Sequence, residues 1–60
     1  MTVTVWWKSG KYRFTEFTNI KETGVSEFSS SIIYLENKKG NVVYVNVNEI
    51  LYIEEDESDG

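Results

Sequence analysis

The sequence predicts an all-β fold, arranged as a small antiparallel meander or barrel of five short strands. Apolar and polar residues alternate with a period of two through most of the 60 residues, which is the pattern of half-buried strands. Turn sequences that contain glycine, Ser9-Gly10 and 37–40, separate the alternating stretches. No stretch has the apolar spacing of an amphipathic helix, so the strands are expected to pack on one another.

A hairpin is predicted at the start of the chain, with Ser9-Gly10 as its turn. A two-residue loop places Trp6 opposite Arg13 on the neighbouring strand. Neighbouring side chains of a strand point to opposite faces, so Trp6 and Trp7 cannot both enter one core. In this register Trp7 faces the core, whereas Trp6 faces outward and stacks on the guanidinium group of Arg13.

Residues 18–30 are interpreted as a connection between two hairpins. Ser, Thr, Asn and Gly dominate this stretch, and no alternation is sustained along it. We expect Ile20, Val25 or Phe28 to pack under the sheet, and we expect the segment to be the most mobile part of the chain.

A second hairpin is predicted around 37–40, a type I turn that ends in a left-handed glycine and creates a bulge. Its register places Leu35 opposite Val43 on one face and Tyr34 opposite Tyr44 on the other. A short turn with one loop of 3₁₀ helix is expected to follow, and it leads into the final strand.

The alternation divides the large apolar side chains into a core set and an outer set. Tryptophan, tyrosine and arginine are enriched at binding hot spots, so a contiguous outer group of them indicates an interaction surface. Alternatively, the sheet curls, or residues 18–30 fold over this face and cover it. The predicted core is Val3, Val5, Trp7, Phe14, Ile33, Leu35, Val43, Val45, Leu51 and Ile53. The predicted interface, with a partner or with a second copy, is Trp6, Arg13, Ile32, Tyr34, Val42, Tyr44 and Tyr52.

The formal charge of −4 is concentrated at the end of the chain. Residues 1–54 are predicted to form a single small β domain, and residues 55–60 a flexible acidic tail. Because the body lacks a basic stripe, nucleic acid is not an expected partner. The acidic residues lack the ligand order of a calcium loop, so no metal site is predicted. Candidate contacts with a basic partner surface are Glu54, Glu55, Asp56, Glu57 and Asp59.

The residue types give little support to catalysis, since only a Ser–Lys arrangement of Lys21 with the serines 29–31, or a carboxylate pair such as Glu16 and Glu49, is conceivable. The chain has no His to act as a base and no Cys, so we expect neither catalysis nor a cofactor. A chain of this size buries only about 60% of its unfolded surface, so oligomerisation is the expected reinforcement, with a dimer favoured. No signal peptide or membrane span is recognisable, which predicts a cytoplasmic protein.

The layout "TVTVWWKSGKYRF", a loop, a hairpin and "VYVNVNEILYIEE" resembles small SH3-like or Sm-like β-barrel accessory proteins of Gram-positive bacteria and their phages. This resemblance implies an accessory protein that blocks a host enzyme or immune system by binding to it. Some such proteins capture a nucleotide signal instead. The segment "VNVNEILYIEE" also resembles part of LytTR-type DNA-binding domains, but the helical and basic elements that those domains use have no counterpart here.

Three functional hypotheses are consistent with these features. The leading one is a protein-binding module, a phage-encoded inhibitor of a host defence protein, that acts stoichiometrically through an exposed aromatic face and forms a homo-oligomer. The second is a nucleotide or single-stranded nucleic-acid binder, since small barrels often stack bases on aromatic side chains. The third is a structural subunit of a phage particle.

Overall fold

A computed structural model of the protein describes residues 1–57. This part of the chain contains six β-strands and one short 3₁₀ turn, and it has no helix long and apolar enough to cross a membrane. The strands are β1 (Thr2–Trp7), β2 (Phe14–Phe17), β3 (Ile20–Val25), β4 (Ile32–Asn37), β5 (Val42–Asn46) and β6 (Ile50–Asp56), and the 3₁₀ turn is Val47–Glu49.

The six strands form two antiparallel sheets of three strands each. The β1 sheet has the order β2-β1-β6, and the β4 sheet has the order β3-β4-β5. The all-β prediction is confirmed, but the expectation of five strands is wrong, because β3 lies within the stretch interpreted as a connection. A bulge at Lys21 separates the paired residues Ile20 and Glu22, and this irregularity interrupts the alternation that would reveal a strand.

The inner faces of the two sheets enclose one small core. Met1 and Ile20, at the starts of β1 and β3, exchange two backbone hydrogen bonds of 2.8 Å and so tie the sheets together. The buried members are Val3 and Val5 from the β1 sheet and Ile20, Leu35 and Val45 from the β4 sheet. Partly buried side chains that pack against them are Met1, Trp7, Phe17, Ile33, Ile50 and Ile53.

The register of the first hairpin differs from the prediction by one residue. Phe14, not Arg13, lies opposite Trp6. A shift of one residue turns every side chain of a strand to the other face, so Phe14 leaves the core and is 44% exposed. Thr15 turns inward instead, and its hydroxyl accepts a 2.9 Å hydrogen bond from Trp7 Nε1. The prediction that Trp7 faces inward and Trp6 outward is nevertheless confirmed.

A bulge in β6 changes a second part of the predicted core. Trp6 pairs with Tyr52, but Trp7 pairs with Ile50, which leaves Leu51 as the extra residue. Leu51 is therefore 62% exposed, whereas Ile50 turns inward in its place.

Three further apolar side chains are exposed rather than packed under a sheet. Val43 has the predicted inward register but is exposed, whereas Val45, two positions further along the same edge strand, is buried. Val25 and Phe28 are exposed as well, so Ile20 alone of the three candidates in 18–30 is buried.

The second hairpin follows the predicted register throughout. Leu35 lies opposite Val43 and Tyr34 opposite Tyr44, as expected. The turn ends in Gly40, whose φ of 91° lies in the left-handed region that favours glycine. The predicted 3₁₀ loop after β5 is also present.

The acidic end of the chain is ordered further than the prediction allowed. β6 continues to Asp56, so Glu55 and Asp56 pair with Val3 and Thr2 of β1 instead of starting a flexible tail. Glu57 follows the strand in a bend, and Asp59 lies outside the described residues.

Two leucines give a direct test of this core. Leu35→Ala should lower the free energy of unfolding by about 2–5 kcal/mol, because a buried side chain is replaced by a cavity. Leu51→Ala removes the same atoms from an exposed bulge and should change the free energy of unfolding by less than about 0.5 kcal/mol. Denaturant unfolding followed by tryptophan fluorescence measures both values. Equal losses in the two variants would contradict the described core.

Candidate functional site

Three aromatic rings lie side by side on the outer face of the β1 sheet. Trp6, on the central strand, has its ring centroid 4.8 Å from that of Phe14 on β2 and 5.4 Å from that of Tyr52 on β6. The Trp6 and Tyr52 rings are stacked with an interplanar angle of 17°, and the Phe14 ring is tilted by 36°. We call these three residues the aromatic row.

The pairing of the strands explains why the rings meet. Trp6 lies opposite Phe14 on one side and opposite Tyr52 on the other, so the three side chains project from one line across the sheet. Trp6 Nε1 donates a 2.7 Å hydrogen bond to Glu54 Oε1, which fixes the orientation of the indole. Phe14 and Tyr52 are nearly half exposed, at 44% and 47%. Trp6 between them is partly buried, so the aromatic row presents its two outer rings and part of the indole to solvent.

The charges beside the aromatic row differ at its two flanks. Glu16 and Glu54 pair with Thr4, two positions before Trp6 on β1, and they make the flank of the aromatic row on that side acidic. On the other flank a groove of about 250 Å³ extends towards the β1–β2 loop. It is lined by Trp6, Trp7, Lys8, Ser9, Gly10, Tyr12, Arg13 and Leu51. Carboxylates and cationic side chains thus flank the same three rings.

The outer face of the β4 sheet carries a second aromatic group. The Tyr34 ring lies over Gly24, where a β-carbon would come within 2.9 Å of it, and its hydroxyl donates a 3.0 Å hydrogen bond to Glu22. The Phe28 ring contacts Tyr44 edge to face, with 6.4 Å between centroids. A groove of about 400 Å³ lies beside these rings. It is lined by Glu22, Ser26, Glu27, Phe28, Tyr34, Glu36, Val42 and Tyr44.

The carboxylates around this groove act on one phenol. The hydrogen bond to the Glu22 carboxylate raises the pKa of Tyr34, because it stabilises the protonated hydroxyl. Desolvation and the negative charges of Glu22, Glu36 and Glu27 raise it further.

The residues predicted as one interface lie on two separate surfaces. Trp6 and Tyr52 belong to the aromatic row, whereas Ile32, Tyr34, Val42 and Tyr44 are placed on the outer face of the β4 sheet by their register. Arg13 precedes β2 and is exposed, and its carbonyl accepts a hydrogen bond from the Trp7 amide.

Sequence reasoning missed Phe14 as a member of the candidate site. One signal was available, since Phe14 and Phe17 are three positions apart, and residues at an odd spacing cannot face the same side of a regular strand. Phe17 packs against the core, and Phe14 consequently faces outward.

No protein-family model, curated protein or solved structure matches this chain. Within residues 1–57, no group of three or more acidic, histidine or cysteine side chains is placed to hold a metal ion. The most distinctive surface feature is the aromatic row with its unlike flanking charges.

The raised pKa of Tyr34 provides a test of its hydrogen bond with Glu22 in the β4-sheet groove. Glu22→Gln should lower the pKa of Tyr34 towards its ordinary value, because it removes both the charged acceptor and its negative charge. Glu36→Gln is the matched control and should cause a smaller decrease, since Glu36 acts through charge alone. An NMR titration of the Tyr34 ring carbon bonded to the hydroxyl measures the pKa. Equal decreases in the two variants would show that the hydrogen bond does not dominate.

Proposed function

We propose that this protein is a non-catalytic binding module that docks on another protein through the aromatic row of the β1 sheet. Its action is stoichiometric: it covers a surface of its partner. The observation that carries the proposal is the position of Trp6 between Phe14 and Tyr52 on an outward face.

Ring geometry supports a role in protein recognition. A protein binding surface gains most from large side chains that are already held in place, because little side-chain entropy is then lost on docking. Trp6 meets this condition, since stacking on Tyr52 and the hydrogen bond to Glu54 hold its ring. The three rings span the whole width of the sheet, from β2 to β6.

The acidic flank of the aromatic row favours a partner with exposed arginine or lysine side chains. A cation can contact an aromatic face and a carboxylate at the same time beside Glu16 and Glu54. Asp56, two positions beyond Glu54 on the same face of β6, adds negative charge near this flank. Such charges accelerate association and lose their effect as salt increases.

The resemblance to accessory proteins of Gram-positive bacteria and their phages suggests the kind of partner. We propose a phage-encoded inhibitor that binds a host defence protein in the host cytoplasm and that also associates with itself. The finer fold class, a small barrel of the SH3-like or Sm-like kind, belongs to the same proposal. Two three-stranded sheets around one core are compatible with it.

Binding to an immobilised wild-type protein tests the docking surface. One host protein should be retained from a Gram-positive lysate at low salt, and purified samples of the two proteins should form a complex of fixed stoichiometry. Trp6→Ala should abolish retention, because it removes the centre of the aromatic row. Phe28→Ala is the control, since Phe28 is a highly exposed ring in the loop between β3 and β4, away from the β1 sheet, and it should bind like the wild type.

Unfolding curves establish that Trp6→Ala is folded under the binding conditions. Absence of any stable partner, or equal retention by Trp6→Ala and the wild type, would contradict the proposal.

A second candidate function, binding of a nucleotide or a single nucleic-acid strand, is favoured by one observation. Lys8 and Arg13 line the groove next to the Trp6 ring, so a base could stack there while its phosphate meets a cation. In that case nucleotides or oligonucleotides should quench tryptophan fluorescence at low salt. An unchanged spectrum would exclude this second function.

A further inference from the structure

Strand β5 presents an unpaired edge to solvent. The strand order β3-β4-β5 leaves one side of β5 without a sheet partner among residues 1–57. Tyr44, at its centre, is 56% exposed, and Val42 and Val43 are exposed beside it. An exposed apolar edge of this kind is a template for another strand.

The hydrogen-bond pattern shows which residues face that edge. At one end of the β4–β5 pair the Asn37 N–H donates to the Asn41 carbonyl, and at the other end the Val47 N–H donates to the Ser31 carbonyl. Hydrogen-bonded pairs recur at every second residue of an antiparallel ladder, so the odd-numbered residues of β5 form hydrogen bonds with β4. The backbone N–H and C=O groups of Val42, Tyr44 and Asn46 therefore point to the open side.

β5 differs from the other three edge strands in its charge. The other edges carry charged side chains, among them Glu16 on β2, Glu22 on β3 and Glu54 on β6, which hinder pairing with an identical strand. β5 has the sequence VVYVN, with neither a charged residue nor a proline. It is the one edge in the described chain that meets its own copy without like-charge repulsion.

We propose that β5 pairs antiparallel with β5 of a second copy, about a two-fold axis at Tyr44. In this register Tyr44 faces Tyr44 of the second copy, and Val42 faces Asn46. Every outward-facing backbone group of the strand is then paired, and the two β4 sheets become one continuous sheet. A shift by two residues would instead place Asn46 opposite Gly40 in the turn and leave part of the edge unpaired.

The same register also aligns the tyrosines of the two copies. The Tyr34–Tyr44 pair on the outer face continues into the equivalent pair of the second copy.

This inference deepens the self-association that forms part of the proposed function, and it leaves the aromatic row free. The dimer is built on the β4 sheet, whereas the partner surface lies on the outer face of the β1 sheet. Failure of one therefore does not imply failure of the other.

A charge exchange at Tyr44 tests the pairing. Sedimentation equilibrium of the wild type should give the mass of two 7.0 kDa chains. Tyr44→Lys and Tyr44→Glu should each give the mass of one chain, because each places like charges opposite each other on the axis. An equimolar mixture of the two variants should recover the dimer, since lysine then faces glutamate.

Leu51→Lys is the matched control, because Leu51 is equally apolar and exposed but lies on β6, and it should remain dimeric. Circular dichroism shows whether each variant keeps its strands. A monomeric wild type at millimolar concentration, dimers in both Tyr44 variants, or a mixture that stays monomeric would each overturn the proposed pairing. Retention of the host protein by the monomeric variants would show that docking and dimerisation are separate.

Discussion

The central position of β1 in its sheet determines both the core and the candidate site. Val3 and Val5 point inward and are fully buried, whereas Trp6 points outward between rings from both neighbouring strands. Because side chains alternate strictly along a strand, the backbone hydrogen bonds that hold the valines in the core also fix the indole on the outer face. A slip of β1 by one residue would expose the valines and bury Thr4 and Trp6 together. Hydrophobic burial therefore specifies the position of the aromatic row as well as the fold.

The sequence predicted the second hairpin correctly because local bonds determine its turn. The side-chain oxygen of Asn37 accepts hydrogen bonds from the amides of Lys39 and Asn41, and Gly40 supplies the left-handed conformation. The first hairpin has a longer loop, and its register depends on tertiary contacts such as the bond between Trp7 and Thr15, 8 positions further along the chain. A two-residue turn at Ser9-Gly10 fits the local sequence, but the pairing of Trp6 with Phe14 shows that the chain does not form it.

Bulges and strand order account for the remaining differences, and neither can be derived from alternation alone. Lys21 and Leu51 are single extra residues in their strands, and after each of them the inward and outward positions are reversed. The bulge at Lys21 conceals β3 in the sequence pattern. The bulge at Leu51 places Ile50 in the core position that was predicted for Leu51. The outward position of Trp6 was predictable from its neighbour Trp7. The division of the outer aromatic residues between two sheets was not, because it depends on which strands pair.

The two outer surfaces suit two different kinds of contact. The aromatic row has carboxylates on one flank and cationic side chains on the other. A second copy could dock on it only in an orientation that places the carboxylates of each copy beside the cationic side chains of the other. The β5 edge is neutral and offers regularly spaced backbone donors and acceptors, which any copy of the same strand matches by symmetry. The proposed pairing at that edge would stabilise a chain with so small a core, since it would extend a sheet without moving Trp6. Self-association of this kind would leave the surface around Trp6 available to a different protein.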